Sequence, residues 1–481
     1  MKRWIALAWV VLAGCTVGPN HEAPRNPLPA AYPVAERAPV AATGVAPAAD
    51  PAQWWTAFGD ARLTELVRRA ATNNADVRRA AARVRAARAL RGVAAADQGP
   101  QVDAHGAAAR AGQSRHSLLG GQLAAQGRPE ENSLLDAGFD LRWEIDVFGG
   151  RRRASEGAAA RADAGVEEGR EVLLSVLAEV GLTYLDWQAA GEELRVARAA
   201  QATQAEFSRL MQARAAAGLT SGIATAAALA GEAAAAAPVP PWIEAQAAAR
   251  HRLSVLLAAD ETEWSGLLDG PSEIAAPPPR VPLGLPAELL RQRPDIRRAE
   301  RLLAAANADI GVARADLFPK FYLTGGLARQ SIEARDFFSG GSRYWSLGPG
   351  VDWPIFTVGR IRETIRARTA RQEETALLYE GTVRAAFAEV RDALVAFGQE
   401  QDQLQARRAE QAARQTALDL ARDREHGGVG DHLEVLAAES ALLAAEAEAI
   451  AGRQLLSRNY IRLAKALGGG WSPEPVAAAT P

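Results

Sequence analysis

Residues 74–80 of the chain (NADVRRA) return 219 positions later as residues 293–299 (RPDIRRA). The same shift relates three later pairs: Gly92 and Gly311, Asp97 and Asp316, Pro100 and Pro319. Further along, a shift of 210 relates Gly218 and Gly428, Leu253 and Leu463, Leu257 and Leu467. The chain is therefore one unit of about 200 residues written twice, and this duplication sets its architecture.

Long helices dominate both copies. Residues 151–217 and 360–471 contain no proline, and their apolar residues alternate at spacings of 4 and 3, which is typical of a coiled-coil seam. A helix of about 65 residues reaches about 100 Å, so it needs neighbouring helices along its length. The matched seam positions are Leu173, Leu177, Val180, Tyr184 and Trp187 in the first copy and Val383, Phe387, Val390, Leu394 and Phe397 in the second.

Prolines and glycines predict where the helices stop. An earlier helix is expected from Leu63 to near Gly99, before Pro100. Pro238 and two nearby prolines should break the returning helix of the first copy, whereas the second copy has none there and should run straight.

A short β region precedes each long helix. From Phe139 to Val147 apolar residues alternate strictly with charged ones, which predicts a strand with one apolar and one charged face. The second copy repeats this pattern between Trp345 and Ile355, and shorter candidates at 101–110 and 320–325 precede both. Polar loops are expected at 113–135 and 327–342. The predicted fold class is mostly α with a small β part, with two hairpins and four strands per chain.

Four strands cannot close a barrel, and an open sheet edge in lipid leaves backbone groups unpaired at several kcal/mol each. Three chains would supply a 12-stranded outer-membrane barrel and would place the long helices side by side in a ring. Geometry by itself permits other multiples, but the repeat, the missing strands and the helix length all require sister copies.

The N-terminus reads as an export signal at residues 1–14, with two basic residues and an apolar run from Trp4 to Leu12. It ends in Leu-Ala-Gly-Cys, which resembles a bacterial lipobox whose cysteine, Cys15, is lipidated, for example with palmitate. The alternative is that Cys15 is a stray small residue near a cleavage site. The residue that follows is Thr16 rather than Asp, which by resemblance to sorted lipoproteins favours the outer membrane. No stretch approaches 18 uninterrupted apolar residues, so a transmembrane helix is not expected.

The domain boundaries follow from composition and from the repeat. A lipid-anchored segment rich in Pro and Ala covers residues 15–60, the first repeat covers 61–270 and a Pro-rich link covers 271–284. The second repeat covers 285–470, and a tail covers 471–481.

Composition and motifs exclude several functions. A formal charge of -2 does not favour nucleic acid as a partner. The six histidines show no metal-ligand spacing, and the chain has neither a nucleophile motif nor a phosphate loop. We therefore expect no enzyme activity, no metal and no cofactor.

Four motifs carry a family resemblance: residues 15–19 (CTVGP), 54–60 (WWTAFGD), 143–151 (WEIDVFGGR) and 284–296 (GLPAELLRQRPDI). With these the chain resembles a TolC-like outer-membrane efflux protein of the NodT-type lipoprotein subfamily, which serves resistance-nodulation-division pumps. The similarity runs from Cys15 to about Gly468. It implies a homotrimeric outer-membrane channel that continues into the periplasm as an α-barrel. Such a channel works with a periplasmic adaptor (membrane fusion protein) and an inner-membrane pump in a tripartite efflux system. The cargo stays open.

The resemblance also places a periplasmic gate at the turns 218–222 and 427–431. Glu434 matches an acidic position of relatives, and Asp431 lies three residues earlier on the same helix face. Rings of such carboxylates would favour cations. The other interpretation is that both acids solvate an exposed helix end. Two alanines, Ala224 and Ala437, stand where a strongly cation-selective gate would carry acids.

The charged strand face supplies the candidate barrel lining: Asp140, Arg142, Glu144, Asp146 and Asp352. Their mixed signs argue against a dedicated filter, and scattered charges that keep water in the lumen are the alternative. The next three residues, 151–153 (RRR), are expected to begin a helix as solvated charges, near lipid headgroups.

Two other classes of protein share some of these features. A helical periplasmic scaffold or adaptor-like lipoprotein would explain the coiled coils but not the lipid-type strands. A self-contained porin would need many more strands than four.

Overall fold

The computed structural model describes residues 16–24, 51–112, 114, 116–127, 131–270, 273–274, 277 and 292–471. The predicted signal peptide, Cys15, most of the link at 271–284 and the tail after Trp471 lie outside these ranges. The chain divides into two compact units, each assembled from three stretches. Unit 1 comprises Met1–Pro24, Val84–Gly165 and Ala299–Tyr379, and unit 2 comprises Arg25–Arg83, Val166–Arg298 and Glu380–Pro481.

Long helices and four strands make up most of the described chain. After a 3-10 helix at Pro51–Phe58, the first copy contains α1 (Ala61–Asn73), α2 (Ala75–Ala96), β1 (Gln101–Gly112), α3 (Leu118–Ala125), β2 (Glu131–Ile145), α4 (Gly150–Ala216), α5 (Gly222–Ala236) and α6 (Val239–Leu257). The second copy contains α7 (Pro294–Ala315), β3 (Lys320–Ser331), β4 (Arg343–Asp352), α8 (Val358–His426) and α9 (His432–Ala466). Short 3-10 turns lie at Glu261–Glu263, Ser265–Leu268, Ala334–Asp336 and Gly340–Ser342.

The element boundaries reproduce the duplication. Helices α2 and α7 begin and end 219 residues apart, and strands β1 and β3 begin at the same offset. Helices α4 and α8 end 210 residues apart, and α5 and α9 begin 210 residues apart. Both shifts found in the sequence therefore mark equivalent positions in space.

In unit 1 the strands form one antiparallel sheet in the order β1-β2-β3-β4. The pairing of β2 with β3 joins the two hairpins, and Phe139 lies opposite both Ala104 and Leu327. Because side chains alternate across a strand, this register separates an apolar face from a polar one. The apolar face contains Val102, Phe139, Leu141, Trp143, Leu327, Trp345, Leu347 and Val351.

The sheet extends further into the expected loops than the sequence predicted. Strand β2 begins at Glu131 and β3 continues to Ser331, so parts of the expected polar loops 113–135 and 327–342 are strand. The first loop also contains the short helix α3. Short-range polarity is a weak guide here, since one face of each strand is polar over its whole length.

In unit 2 the predicted seam is a buried core. Four of the five predicted seam positions are buried in each long helix. They are Leu177, Val180, Tyr184 and Trp187 in α4 and Val383, Val390, Leu394 and Phe397 in α8. Leu173 and Phe387 are half-buried. Trp54 from the 3-10 helix packs so closely on Gly181 that a Cβ at this glycine would lie 2.7 Å from the indole.

The expected helix from Leu63 to Gly99 is broken at Asn74. The Asn74 side chain accepts hydrogen bonds from the N–H groups of Asp76 (2.8 Å) and Val77 (3.2 Å), so it caps the start of α2. Its Nδ2 donates to the Leu256 carbonyl at 2.8 Å, next to the end of α6. A single asparagine therefore lies between α1 and α2, caps the start of α2 and binds the end of α6. Helical spacing in the sequence does not predict these contacts.

The second copy has an equivalent hydrogen bond to the end of its returning helix, but a different residue donates it. Arg293, which is 219 positions after Asn74, donates to the Ala466 carbonyl at 2.7 Å, and Ala466 is 210 positions after Leu256. Each copy thus ties the start of one helix to the end of its returning helix.

The prolines act as predicted. Helix α5 ends at Ala236 and α6 begins at Val239, whereas α9 runs unbroken through the equivalent positions. In the described residues one helical stretch, Gly222–Leu257, is long and apolar enough to cross a membrane by length and composition, with 6% of it buried. This differs from the expectation that no stretch would qualify, because alanine raises average hydropathy without forming a continuous apolar run.

Candidate functional site

The polar face of the sheet contains the predicted lining residues Asp140 and Arg142 in its strand β2. By the register, the same face contains Asp103, His105 and Asp136, which were not among the predicted lining residues. They could have been found by extending the period-two pattern from Phe139 back to Glu131 and by applying it to β1. This face is therefore more acidic than predicted.

The face is organised around one histidine. His105 Nε2 lies 2.8 Å from Asp136 Oδ1, and its Nδ1 lies 2.9 Å from Asp140 Oδ2. The side-chain amide nitrogen of Gln330 (Nε2) donates to Asp136 Oδ2 at 3.1 Å, and the Tyr344 hydroxyl donates to the same oxygen at 3.2 Å. The cluster therefore links all four strands across the polar face.

Arg142 is held elsewhere on the same face. Its guanidinium carbon lies 4.7 Å from the centroid of the Tyr322 ring, a cation–π distance. Arg142 therefore contacts an aromatic ring of the neighbouring strand β3.

Glu144 and Asp146 lie where strand β2 passes into helix α4. Glu144 pairs with Arg151 at 2.9 Å, and Asp146 accepts from the Arg152 N–H at 2.8 Å. The Asp146 carboxylate thus satisfies a free N–H of the first helical turn. Both acids are tied to the strand-to-helix junction, beside a cavity of about 320 Å³.

Asp352 is the last residue of β4. It lies on the polar face opposite Lys320 and is exposed. Lys320 pairs with Asp316 at 2.9 Å. Of the five predicted lining residues, Asp140, Arg142 and Asp352 therefore lie on the polar sheet face, and Glu144 and Asp146 lie at its end.

The two helical turns of unit 2 have the same geometry. Gly218 and Gly428 adopt φ values of 73° and 72°, which glycine accommodates without strain. The next residue in each turn donates its N–H back into the helix, Leu219 to Arg214 (2.8 Å) and Val429 to Arg424 (3.0 Å). Leu219 and Val429 are each 76% exposed, so both turns present an apolar tip.

Both predicted gate acids face an arginine. Asp431 caps α9 and pairs with Arg214 at 2.5 Å, which together with the Leu433 N–H holds the pKa of Asp431 below its ordinary value. Glu434 lies 3.6 Å from Arg424. Asp431 thus joins the two turns of the chain, a contact between residues 217 positions apart.

Helix α4 also carries a buried carboxyl group. Glu193 is 8% exposed, and burial, assisted by the charges of Glu192 and Glu448, raises its pKa to about 7. Glu192 itself accepts from the Ile274 N–H at 2.7 Å and pairs with Arg453.

The raised pKa of Glu193 predicts a pH-dependent stability. The folded pKa of about 7 exceeds the ordinary value of 4.5, so the contribution of this group is complete below pH 4.5 and is lost as pH rises through 7. Glu193→Gln should raise the free energy of unfolding by about 1 to 2 kcal/mol at pH 8 and leave it unchanged near pH 4. Denaturant unfolding between pH 4 and pH 8 measures this.

The control is Glu168→Gln on the same helix, where Glu168 pairs with Arg83 at 3.2 Å. This variant should keep the wild-type dependence of stability on pH. Equal pH slopes for Glu193→Gln and the wild type would contradict the prediction.

The prediction of three solvated arginines at residues 151–153 is wrong for Arg153. Arg153 is 4% exposed and donates to residues 17–20 near the N-terminus. Helical spacing does not indicate this contact, because its partner lies more than 130 residues away. Within the described residues, no group of three or more His, Cys, Asp or Glu side chains could hold a metal.

An exposed apolar sheet face backed by a polar face, on a chain of long paired helices, defines a subunit of an outer-membrane channel. The family model for outer membrane efflux protein matches residues 66–259 and 285–469. The chain belongs to this family, as the resemblance implied. It is an outer-membrane channel component of an efflux system, and its family consists of channels rather than enzymes.

Similar proteins agree over nearly the full length. The toluene efflux pump outer membrane protein TtgF of Pseudomonas putida is 32% identical, with 98% of each chain covered. The probable outer membrane lipoprotein SilC of Salmonella typhimurium is 31% identical over 96% of this chain and 97% of SilC. The solved structure of the outer-membrane channel OprN matches with a TM-score of 0.83 at 32% identity, over 95% of this chain and all of OprN.

Proposed function

We propose that the chain is one third of a passive conduit, closed by three copies that contribute four strands each. The observation that carries this proposal is the uncovered apolar sheet face, where Trp345 is 72% and Leu347 is 63% exposed. Such a face requires lipid or another apolar partner, since burying apolar surface lowers the free energy by about 25 cal/mol per Å².

The sheet edges support closure by sister copies. In the described part of the chain, β1 and β4 each pair with another strand on one side only. An unpaired edge in lipid costs several kcal/mol per backbone group, so each β1 would pair with β4 of a neighbouring copy. This places the His105 cluster and Arg142 on the water-filled side of a 12-stranded barrel.

The proposed path continues through the helices into the periplasm. The exposed apolar tips at Leu219 and Val429 would meet a periplasmic adaptor, which connects the channel to an inner-membrane pump. The pump would select the cargo, and the channel would conduct whatever the pump delivers.

Cys15 would carry the lipid anchor in this proposal. The lipobox-like sequence supports it, and the similarity to a probable outer membrane lipoprotein supports it independently. Metabolic labelling with a palmitate analogue should mark the wild-type chain and not Cys15→Ser.

The decisive experiment is reconstitution of the purified, lipidated protein into liposomes. We expect trimers that resist SDS until heated and that conduct ions across the bilayer. A stable monomer that leaves the liposomes tight would refute the conduit and would favour a helical scaffold instead.

The gate acids predict two opposite changes in ion preference. Glu434→Gln should move the reversal potential toward anions, whereas Arg214→Ala should uncover Asp431 and move it toward cations. Each change should alter the permeability ratio about twofold to fivefold, because charge effects in wide aqueous pores are screened. Planar-bilayer recordings in a salt gradient measure both.

Glu439→Gln on the same helix is the matched control, since Glu439 lies 3.8 Å from Arg422 and one turn beyond the predicted gate. Unchanged reversal potentials in Glu434→Gln would remove Glu434 from the gate.

A further inference from the structure

The first described residues of the chain are seated on unit 1. Thr16 lies against Gly149, where a Cβ would come within 2.7 Å of Thr16 Cγ2. The Val17 N–H donates to the Phe148 carbonyl at 3.0 Å. Residues 148 and 149 lie between the end of β2 and the start of α4, so the N-terminal segment begins at the strand-to-helix junction.

The Arg153 guanidinium group binds this segment through hydrogen bonds. Nε donates to the Val17 carbonyl at 3.2 Å, and one terminal nitrogen donates to the Gly18 carbonyl (3.3 Å) and to Asn20 Oδ1 (2.8 Å). The other terminal nitrogen pairs with Glu156 at 2.8 Å. A buried guanidinium needs such partners, and here three of its four acceptors come from residues 17–20.

Two glycines allow the segment to approach helix α7. Gly18 has φ 97°, and a Cβ on it would lie 2.5 Å from Gly311 Cα. A Cβ on Gly311 would in turn lie 2.7 Å from Arg153 Cγ. Asn307 on the same helix donates to the Pro19 carbonyl at 2.9 Å. The fit is therefore specific to backbone at this point, since neither glycine leaves room for a side chain.

The segment connects both copies of the repeat. Helix α4 belongs to the first copy and follows β2, whereas α7 belongs to the second copy and precedes β3. Strands β2 and β3 are neighbours in the sheet. Residues 16–20 thus bind at the two junctions where the central strands meet their helices.

We propose that Arg153, Asn307 and Gly311 form an intramolecular docking site for residues 16–20, which holds the lipidated N-terminus at the base of the barrel. The inference rests on the proposed lipid attachment at Cys15. Cys15 is one residue before Thr16, so docking replaces a long flexible tether by a fixed attachment point beside β2. Arg153 is a positioning residue, because it acts on the anchor through the backbone of residues 17–20.

The test uses the lipidated trimer in liposomes, with Glu22→Cys carrying a nitroxide spin label. Glu22 is exposed and lies just beyond the docked residues. The label should be immobilised in the parent protein. It should become mobile in Arg153→Ala and in Asn20→Ala, with about a tenfold larger mobile fraction, as expected when a charge-assisted hydrogen bond is lost. Arg153→Lys should lie between them, since lysine keeps the charge but loses the fork.

Arg161→Ala is the matched control, because Arg161 also lies on α4 and pairs with Asp309 of α7 but does not contact the segment. Its label should stay immobilised. Labels in Arg153→Ala and Asn20→Ala that stay as immobile as in the parent protein would overturn the docking site. A label in Arg161→Ala as mobile as in Arg153→Ala would also overturn it.

Mass spectrometry tests the lipid attachment independently of the docking site. A lipidated Cys15 has no free thiol, so mass spectrometry should find one label per chain and the mass of the lipid. Two labels with an immobilised segment would refute lipidation while leaving the docking site intact. Asn20→Ala leaves Arg153 in place, so a mobile label in this variant excludes simple loss of the α4 structure as the cause.

Discussion

Gly138→Val should abolish the SDS-resistant trimer. Gly138 lies on β2 opposite Ala328 of β3, and a Cβ added to it would lie 2.2 Å from Ala328 Cβ and 2.6 Å from both Ala328 Cα and the Leu327 carbonyl oxygen. Backbone atoms cannot move aside as a side chain can, so β2 and β3 would have to separate. Because this pairing joins the two hairpins, we expect a penalty of more than about 3 kcal/mol.

Unheated SDS gels measure the result as the fraction of protein that migrates as trimer, which should fall below about a tenth of the wild-type value. Gly348→Ala is the control, because Gly348 lies on β4 of the same sheet and a Cβ there has open space within 4 Å. Trimers of Gly138→Val at the wild-type level would show that the sheet can open at this pairing without loss of assembly.

Arg293→Ala should give the largest loss of stability in unit 2. The guanidinium donates two bonds to Asp295 (3.0 and 2.7 Å), one to Glu389 (2.8 Å) and one to the Ala466 carbonyl (2.7 Å). Burial would lower the pKa of Arg293, but these carboxylates outweigh it and raise the pKa above its ordinary value. Removing the arginine leaves the carboxylates and the helix end without their partner, at a cost of about 3 kcal/mol.

The duplication supplies the comparison. Asn74→Ala removes the equivalent bond of the first copy, to Leu256, together with the cap of α2, and should cost only about 1 to 2 kcal/mol because no charged group is left unpaired. Arg293→Lys should fall between the two variants, since it keeps the charge and loses the two-bond contact with Asp295. Denaturant unfolding followed by circular dichroism measures all three. An equal loss for Asn74→Ala and Arg293→Ala would contradict the role given to the charge.

Features that depend on periodicity were predictable. The 219 and 210 shifts, the strand at Phe139, the seam through Tyr184 and Phe397 and the break at Pro238 each express a repeat, a period or a proline. These signals are local or self-similar, so a single sequence contains them. The fold class is confirmed by the structure and by the family match.

Single-residue devices were not predictable. Asn74 resembles any polar helix residue until its two N–H partners and the Leu256 carbonyl are in place. Arg153 resembles its neighbour Arg151, yet one binds the N-terminal segment and the other pairs with Glu144. The difference depends on which side chain faces inward at a junction, and that orientation depends on residues far away in the chain.

The amino-acid order of this protein determines a duplicated subunit with four amphipathic strands and long seamed helices, because periodic burial repeats along the chain and can be counted. Tertiary structure decided the rest: that Arg142 lies over the Tyr322 ring, that both predicted gate acids have arginine partners, and that Arg153 is buried against residues 17–20. Charges act through distance in space, and these partners are brought together only when the two copies fold onto each other.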